Sequence, residues 1–263
     1  MKPVMLETAR LRLDSPSTAD RARIVEYCSD PVFERFLTLP WPYRERDADV
    51  FLNRLVPDGW ESDREYTWAL RERLSASESQ GSVSTSEPIT SGHASEHPEP
   101  VASIEHPEPV AGPFLGVIGY RRTTSDIGYW LGAPHRGHGF MPEAMTAVVR
   151  WIFDLGVSEI AWECAAGNYA SVSVARTLGF RYLGEKPANV LYRDGTYPRS
   201  WHGSLRADQL GVVQAGWPAE TRGDVTRDDA SLGETARDDA AVGSTARDDA
   251  AVGQTTLGNM SGR

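Results

Sequence analysis

Two low-complexity tracts limit how much of this chain can fold around a core. Residues 75–112 are rich in Ser, Glu, Pro and His, and the heptapeptide EHPEPVA occurs twice in this stretch. In residues 217–263, three similar segments containing RDDA follow one another at ten-residue intervals. Neither tract has enough apolar side chains to offset the entropy of ordering its backbone, so we expect both to be disordered. We therefore predict one domain over residues 1–216, interrupted by the insert at 75–112.

The net charge of −10 comes from these two tracts. The insert contains six acidic residues and no lysine or arginine, and the tail contains nine acidic residues and five arginines. The rest of the chain is neutral. Because nucleic-acid-binding domains present a basic face, a nucleic-acid partner is not expected. The acidic tracts are either solubilising segments or binding segments for a basic partner.

The chain shows the features of a cytoplasmic protein. Cys28 and Cys164 lie far apart among apolar neighbours, which favours buried free thiols in a reducing compartment. The first residues lack the apolar segment of a secretory signal. No stretch approaches the ~18 apolar residues that a membrane-spanning helix needs, so no membrane partner is expected. No cluster of metal ligands stands out, and we expect no metal.

The hydrophobic periodicity of the body predicts a mixed α/β fold. Helical spacing begins near residues 18, 46, 142 and 168. Alternating apolar residues predict strands at 9–16, 65–73, 113–122, 126–132, 159–165, 181–192 and 197–206. The resulting order, β-α-α-β-β-β-α-β-α-β-β, describes a mixed sheet with helices packed on it.

The segment HRGHGFMPEA, residues 135–144, places two glycines immediately before the predicted long helix. Pro142 suits the first helical position. The glycines have two interpretations. They form an anion site, because exposed N–H groups and the helix dipole attract negative charge, or they form a turn that only joins a strand to a helix.

Two motifs in this order resemble the GNAT acetyltransferases, in particular the RimJ/RimL-type branch of ribosomal-protein N-terminal acetyltransferases. RGHGFM (136–141) resembles the acyl-CoA loop of the family, and NYASVSVARTLGF (168–180) resembles the Asn-x-x-Ser…Leu-Gly-Phe signature of the branch. LETARLRL, LTLPWPYRERDADVFL and WHGSL also fit the branch. The resemblance covers essentially the whole body. It implies a mixed, mostly antiparallel sheet of the GNAT type flanked by helices. It also implies acetyl-CoA as co-substrate and an amine as acceptor.

The resemblance also implies which residues bind acetyl-CoA. Backbone amides of the acyl-CoA loop would hold the pyrophosphate, and the strand at 126–132 would pair with the pantetheine arm. Met141 departs from the family pattern, which prefers Gly or Ala, so its side chain must point away. The histidines at 135 and 138 are expected to face phosphate or solvent. The expected cofactor-binding residues are Tyr129, Trp130, Leu131, Arg136, Gly137, His138, Gly139, Phe140, Met141, Asn168 and Ser171.

Asn168 and Ser171 also have a structural role that the residues themselves predict. Asn168 is a good N-cap for the helix that follows, and Ser171 lies at its N3 position. A contact with the pantetheine arm or the sulfur is compatible with capping, and is what the resemblance adds.

Amide formation from a thioester needs a neutral amine, an acceptor for its proton and a proton donor for the departing thiolate. Asp126 opens the strand expected to face the thioester and is the first candidate base. Glu163, on the next strand, is the second. Ser171 is the candidate donor to the thiolate, followed by Tyr169. Glu143 lies in the first turn of the long helix, where an acid complements the dipole, so we expect a structural role for it.

Three functions remain open from the sequence. The first is an acetyl-CoA-dependent N-acetyltransferase acting on the N-terminal amine of a protein or peptide. The second keeps this chemistry with a small-molecule amine, such as an amino sugar, a polyamine or an antibiotic. In both, the acceptor-side residues are expected in the 31–60 region, with Trp41 and Tyr43. The third is a CoA-binding scaffold without catalysis.

Overall fold

The computed structural model describes residues 1–73 and 111–222 as one eight-stranded sheet covered by helices. The order of strands in the sheet is β1-β2-β3-β4-β5-β6-β8-β7, and every neighbouring pair is antiparallel except β5 with β6. The strands are β1 (Leu6–Glu7), β2 (Leu11–Asp14), β3 (Glu65–Arg73), β4 (Ala111–Arg121), β5 (Asp126–Leu131), β6 (Glu159–Ala165), β7 (Arg181–Pro187) and β8 (Arg199–Arg206). The predicted mixed, mostly antiparallel sheet is confirmed.

The helices lie on both faces of this sheet. They are α1 (Arg21–Cys28), α2 (Pro31–Phe36), α3 (Glu45–Val50), α4 (Val56–Glu61), α5 (Phe140–Asp154) and α6 (Tyr169–Leu178). Helices α5 and α6 pack on one face, where the predicted apolar stripe of α5 is fully buried. Helices α1, α2 and α3 pack on the opposite face through a second apolar cluster. Side chains of a strand alternate between the two faces, so neighbouring residues of β5 and β6 serve different layers.

Several element boundaries differ from those that periodicity predicts. The predicted strand at 9–16 begins later, because Thr8 closes a turn by donating its N–H to Leu11 O at 2.8 Å. Helix α2 was not predicted, although Asp30 caps it by accepting from Val32 N at 3.0 Å. The helix predicted from residue 46 consists of α3 and α4 joined by a π-helical turn.

The sequence predicts Pro142 at the first position of the long helix. In the structure α5 begins at Phe140, and Pro142 occupies its third position. The position still suits proline, because the first N–H groups of a helix have no intrahelical acceptor.

The folded domain extends into both predicted low-complexity tracts. Strand β4 begins at Ala111. Trp217 is 4% exposed, and its indole N–H donates to Phe180 O at 3.1 Å. Its ring also packs against Trp162 at 5.8 Å. Burying one indole offsets part of the cost of ordering the residues around it, a local effect that the average composition of a tract hides. The expectation of disorder for the remaining tract residues falls outside the described ranges.

This packing predicts that Trp217→Ala destabilises the protein. We expect the free energy of unfolding to fall by about 3 kcal/mol, the usual cost of truncating a buried tryptophan. Urea denaturation of the full chain would measure the change. Tyr197→Ala is the matched control, because Tyr197 is also aromatic but 56% exposed. Equal effects of the two substitutions would contradict the assignment of Trp217 to the core.

Candidate active site

The sheet opens between its two parallel strands. Strands β5 and β6 share a single Cα pair, Asp126 with Ala161, and Ala161 N donates to Ser125 O at 2.7 Å. Beyond this pair the strands diverge toward their carboxyl ends, where each leads to a helix N-terminus. We call this opening the β5–β6 gap. One edge of β5 therefore faces a space in which a ligand can replace a neighbouring strand.

The loop from β5 to α5 exposes main-chain N–H groups beside the gap. Gly137 and Gly139 have φ angles of +77° and +76°, a left-handed conformation that suits glycine. Gly139 is the N-cap of α5, and no side chain in the described part of the chain caps this helix. The first N–H groups of α5 can therefore bind an anion, and the helix dipole favours its charge. The geometry supports the anion-site interpretation of the two glycines.

The side chain of Arg136 points away from this anion site. It is only 7% exposed, and its Nη1 lies 2.8 Å from Asp30 Oδ2. Its Nε donates to Leu131 O at 3.0 Å, and the guanidinium lies over the Phe33 ring. Arg136 thus contributes its backbone to the loop, while its side chain anchors the loop to the end of β5 and to α2.

The neighbouring loop residues occupy different environments. The side chain of Met141 is buried in the core, as its departure from the family pattern requires. His138 is exposed, and its ring stacks on Phe140 at 5.8 Å. The expectation for His135 is wrong. This residue is half-buried, its Nε2 lies 2.8 Å from Tyr27 Oη, and burial lowers its pKa.

Glu143 connects the start of α5 to the N-terminal turn of the chain. Its carboxylate accepts from Arg10 N at 2.9 Å and from Arg10 Nε at 2.7 Å. Burial opposes ionisation, but the bonds from Thr8 and Arg10 outweigh it and lower the pKa of Glu143. Arg10 also donates to His138 O at 2.9 Å. The contacts of Glu143 are structural. They hold the half-exposed side chain of Arg10 against the loop, a contact that periodicity did not indicate.

A buried hydrogen-bonded cluster lies on the α6 side of the gap. Tyr129 Oη is 2.9 Å from Ser171 Oγ, and Trp162 Nε1 donates to the same oxygen at 3.1 Å. Asn168 caps α6 as predicted, accepting from Ser171 N at 3.1 Å. Burial raises the pKa of both Tyr129 and the nearby Cys164 thiol. Ser171 is therefore held by three neighbours beside the gap, with a hydroxyl proton that it shares with Tyr129.

The other two predicted residues of β5 support the layers around the gap. Leu131 packs in the α5 layer with Tyr129. Trp130 faces the α1–α3 layer and contacts Phe33 at 5.6 Å and Phe114 at 5.8 Å. Any contact of these two residues with a bound ligand would therefore go through their main-chain atoms.

Asp126 is occupied by an ion pair at the closed end of the gap. It lies opposite Arg121 in the β4–β5 hairpin, and Arg121 donates to both of its carboxylate oxygens. Thr124 donates to the same carboxylate. A carboxylate held this way is a poor proton acceptor, because protonation would break a bidentate, charge-assisted contact. The geometry argues against Asp126 as the base.

Glu163 has the environment of a general base. Its side chain is 10% exposed, and both carboxylate oxygens accept from Asn189 N at 3.1 Å. Burial raises the pKa of Glu163, with the Asn189 amide and His202 opposing this effect and Asp126 adding to it. A carboxylic acid titrating closer to neutrality is better suited to proton transfer at physiological pH. Of the two candidate bases, the geometry favours Glu163.

An open cleft lies on the same face of the sheet as Glu163. This α2 cleft has a volume of about 590 Å³ and is bounded by α2, Trp41, Ala165 and the segment 192–199. Ala165 is two residues beyond Glu163 on β6, on the same side of the strand and about 7 Å further along. Glu163 thus lies on the strand that borders the β5–β6 gap, two residues before the part of that strand that lines the cleft.

The aromatic residues expected near the active site have different locations. Trp41, which the sequence analysis expects on the acceptor side, lines the α2 cleft. Tyr43 is buried in the apolar cluster beneath α1 and α3. Tyr169 begins α6 and packs against Trp201 at 5.6 Å.

Three neighbours of Glu163 were missed by the sequence analysis. His202 and Ser200 lie on β8, and Asn189 follows β7. The alternation of WHGSL places His202 on the opposite side of β8 from its apolar neighbours, Trp201 and Leu205. This alternation alone does not show which face of the sheet His202 lies on, so it could not place His202 beside Glu163.

Within residues 1–73 and 111–222, no group of three or more His, Cys, Asp or Glu side chains could hold a metal ion. None of the helices described is both long and apolar enough to cross a bilayer.

Comparisons with known proteins agree with this geometry. A family model described as acetyltransferase (GNAT) domain matches residues 10–181. No curated protein matches the chain.

Solved structures of similar fold have low sequence identity. A ribosomal-protein-alanine acetyltransferase from Vibrio fischeri is 15% identical, with a TM-score of 0.54, 79% of this chain covered and 98% of the other. A Salmonella typhimurium enzyme, described as modifying the N-terminal serine of a 50S ribosomal subunit protein, is 13% identical, with a TM-score of 0.54 and coverages of 77% and 99%. A microcin self-immunity acetyltransferase in complex with acetyl-CoA and AMP is 14% identical, with a TM-score of 0.53 and coverages of 76% and 93%.

Proposed function

The chain belongs to the GNAT acetyltransferase family, and from this membership we propose that it transfers the acetyl group of acetyl-CoA to the N-terminal amine of a protein or peptide. The acyltransferase chemistry follows from the family. The choice of acceptor is supported by the α2 cleft, which is open enough to admit the end of an extended chain. It is also supported by similar structures whose names describe ribosomal-protein acetyltransferases.

The proposed site for acetyl-CoA is the loop before α5 together with the β5–β6 gap. Acetyl-CoA supplies the activated thioester. Main-chain amides of residues 137–141 would bind its pyrophosphate, because the two left-handed glycines leave these groups open and the helix dipole attracts the charge. The N–H of Arg136, which the resemblance includes in this set, donates to Ala133 O at 3.3 Å. The exposed edge of β5 would hydrogen-bond to the pantetheine arm, with Asn168 and Ser171 on the far side of the gap.

Glu163 would accept the proton that the amine loses when it attacks the thioester carbonyl. Its carboxylate is on the strand that borders the gap and on the same face of the sheet as the α2 cleft, whereas the carboxylate of Asp126 is held by Arg121. Ser171 Oγ would donate a proton to the thiolate as it leaves, and Tyr129 Oη, 2.9 Å away, could return a proton to Ser171. The two proton transfers would thus occur on opposite faces of the sheet. Glu163 would act on the face of the acceptor amine, and Ser171 would act on the face of the departing sulfur.

The observation that carries this proposal is the position of Glu163. Strand β6 borders the gap, carries this buried carboxylate and ends at the cleft, so a thioester in the gap and an amine from the cleft would meet near a proton acceptor. Holding two reactants in this way supplies much of the rate enhancement in such reactions.

Acetyl-CoA turnover with a panel of amines tests the choice of acceptor. We expect peptides with a free N-terminus to be acetylated at a kcat/KM at least about tenfold above that of amino sugars, polyamines or N-terminally blocked lysine peptides, because only an extended chain fills the cleft. Mass spectrometry would locate the added acetyl group. A preference for small amines would support the small-molecule alternative, and acetyl-CoA binding without turnover of any amine would support the scaffold.

A further inference from the structure

His202 lies directly opposite Glu163 on the neighbouring strand. The two residues are Cα partners in the β6–β8 ladder, and His202 Nδ1 lies 3.9 Å from Glu163 Oε2. Both side chains are 10% exposed. Directly opposed residues of antiparallel strands have side chains on the same face and in contact. His202 is therefore a fixed neighbour of the carboxylate.

The other neighbours of Glu163 leave His202 as its main ionisable partner. Asn189 N and Ser200 supply hydrogen bonds. The guanidinium of Arg121 is engaged by Asp126, whose own negative charge opposes the ionisation of Glu163. Tyr192 faces the same carboxylate as a neutral hydroxyl, and Glu163 raises the pKa of Tyr192 further.

The imidazole itself is incompletely satisfied. Its Nε2 is buried without a hydrogen-bond partner among the described residues. A buried, unpaired ring nitrogen costs free energy, so a histidine at a purely structural position would usually be replaced by an apolar residue or paired. At this position the ring faces a carboxylate on the acceptor side of the gap.

We propose that His202 is a positioning residue for acetyl transfer, which holds the Glu163 carboxylate ionised and directed between the α2 cleft and the β5–β6 gap. This inference rests on the proposed role of Glu163 as the proton acceptor. An imidazole within 4 Å of a buried carboxylate stabilises the charged form of that carboxylate electrostatically, through its N–H dipole or, when protonated, through its charge. The charged form is the one that can take a proton from the amine.

The pH dependence of turnover tests this role. Without the imidazole, burial and Asp126 dominate, so the pKa of Glu163 rises further. For His202→Phe we expect the part of the acid limb of kcat/KM that Glu163 sets to move up by about one pH unit, with a loss that approaches about tenfold on the acid side of this limb and disappears at alkaline pH. His202→Gln, which keeps a donor, should restore most of the loss. A purely structural role would instead reduce the rate equally at every pH.

Controls separate this inference from the proposed function. Ser204→Ala removes another buried side-chain oxygen two residues away on β8 and should leave the acid limb in place. If Glu163→Gln removes the limb but His202→Phe does not move it, His202 has no positioning role although Glu163 acts as proposed. If Glu163→Gln leaves rate and limb unchanged, both proposals fail.

A second measurement does not depend on finding an acceptor. Carbon-13 NMR of the Glu163 side-chain carboxyl would follow its titration directly in the wild type and in His202→Phe. We expect the carboxyl to titrate at higher pH in the variant. An unchanged titration in a folded variant would overturn the role of His202 whether or not the chain acetylates N-termini.

Discussion

Gly139→Trp is expected to weaken acetyl-CoA binding at least about 100-fold, the equivalent of about 2.7 kcal/mol. Gly139 is the N-cap of α5 with φ +76°, and a Cβ added there would lie 3.5 Å from Arg10 Nη2. An indole at this point would fill the space that the pyrophosphate needs in order to approach the amides. Calorimetric titration of the full chain with acetyl-CoA would measure the change.

A matched variant separates this effect from backbone strain. Gly156, at the other end of α5, has a similar φ of +86° and open space around it. Gly156→Trp therefore imposes the same side chain and a similar left-handed strain, about 1–2 kcal/mol, far from the loop. We expect it to lose stability and to keep its affinity for acetyl-CoA. Unchanged affinity in a folded Gly139→Trp protein would remove the loop from the cofactor site.

Glu163→Gln is expected to lower kcat by about 10²–10⁴-fold, the usual contribution of a general base. The amide keeps the shape of the side chain but cannot take the proton of the amine. Affinity for acetyl-CoA should stay within about twofold of the wild type, since the carboxylate does not contact the phosphate loop. Single-turnover kinetics with a peptide substrate, together with calorimetry, would separate chemistry from binding.

The dependence of the wild-type rate on pH should also show the ionisation of Glu163. Burial raises the pKa of Glu163, and a base acts only when deprotonated. The rate should therefore show a decline on acidification at a pH above the usual range of a carboxylic acid, and Glu163→Gln should remove this contribution and leave only the decline set by protonation of the substrate amine. Asp126→Asn tests the competing base. A loss of kcat in that variant, with Glu163→Gln still active, would reverse the assignment.

Local sequence signals predicted the elements that surround the site. Asn168 caps α6 by bonding within its own helical turn, so a short-range pattern is sufficient to predict it. Two glycines immediately before a predicted helix likewise indicate an unusual backbone at the helix start, and both Gly137 and Gly139 have left-handed φ angles. The mixed sheet follows from the order of alternating and helical segments. In each case the physical cause acts within a few residues or along one element.

Other assignments failed or stayed open because they depend on partners distant in sequence. Arg136 lies in the phosphate-loop motif, but its side chain binds Asp30, more than a hundred residues earlier. Asp126 looked like the better base because its strand faces the gap, and only the pairing with Arg121 across the hairpin shows that its carboxylate is occupied. Trp217 looked like part of a polar tail until its ring was placed against Trp162.

The sequence by itself thus determined the fold class and predicted two glycines at a helix start and a pair of candidate bases. These predictions depend on hydrophobic periodicity, backbone conformation and capping, all of which are encoded locally. Only the tertiary structure distinguished the environments of the two carboxylates and brought His202 to Glu163. The register of β6 against β8 sets that contact. Register and desolvation arise from the packing of the whole sheet, which no short stretch of the chain records.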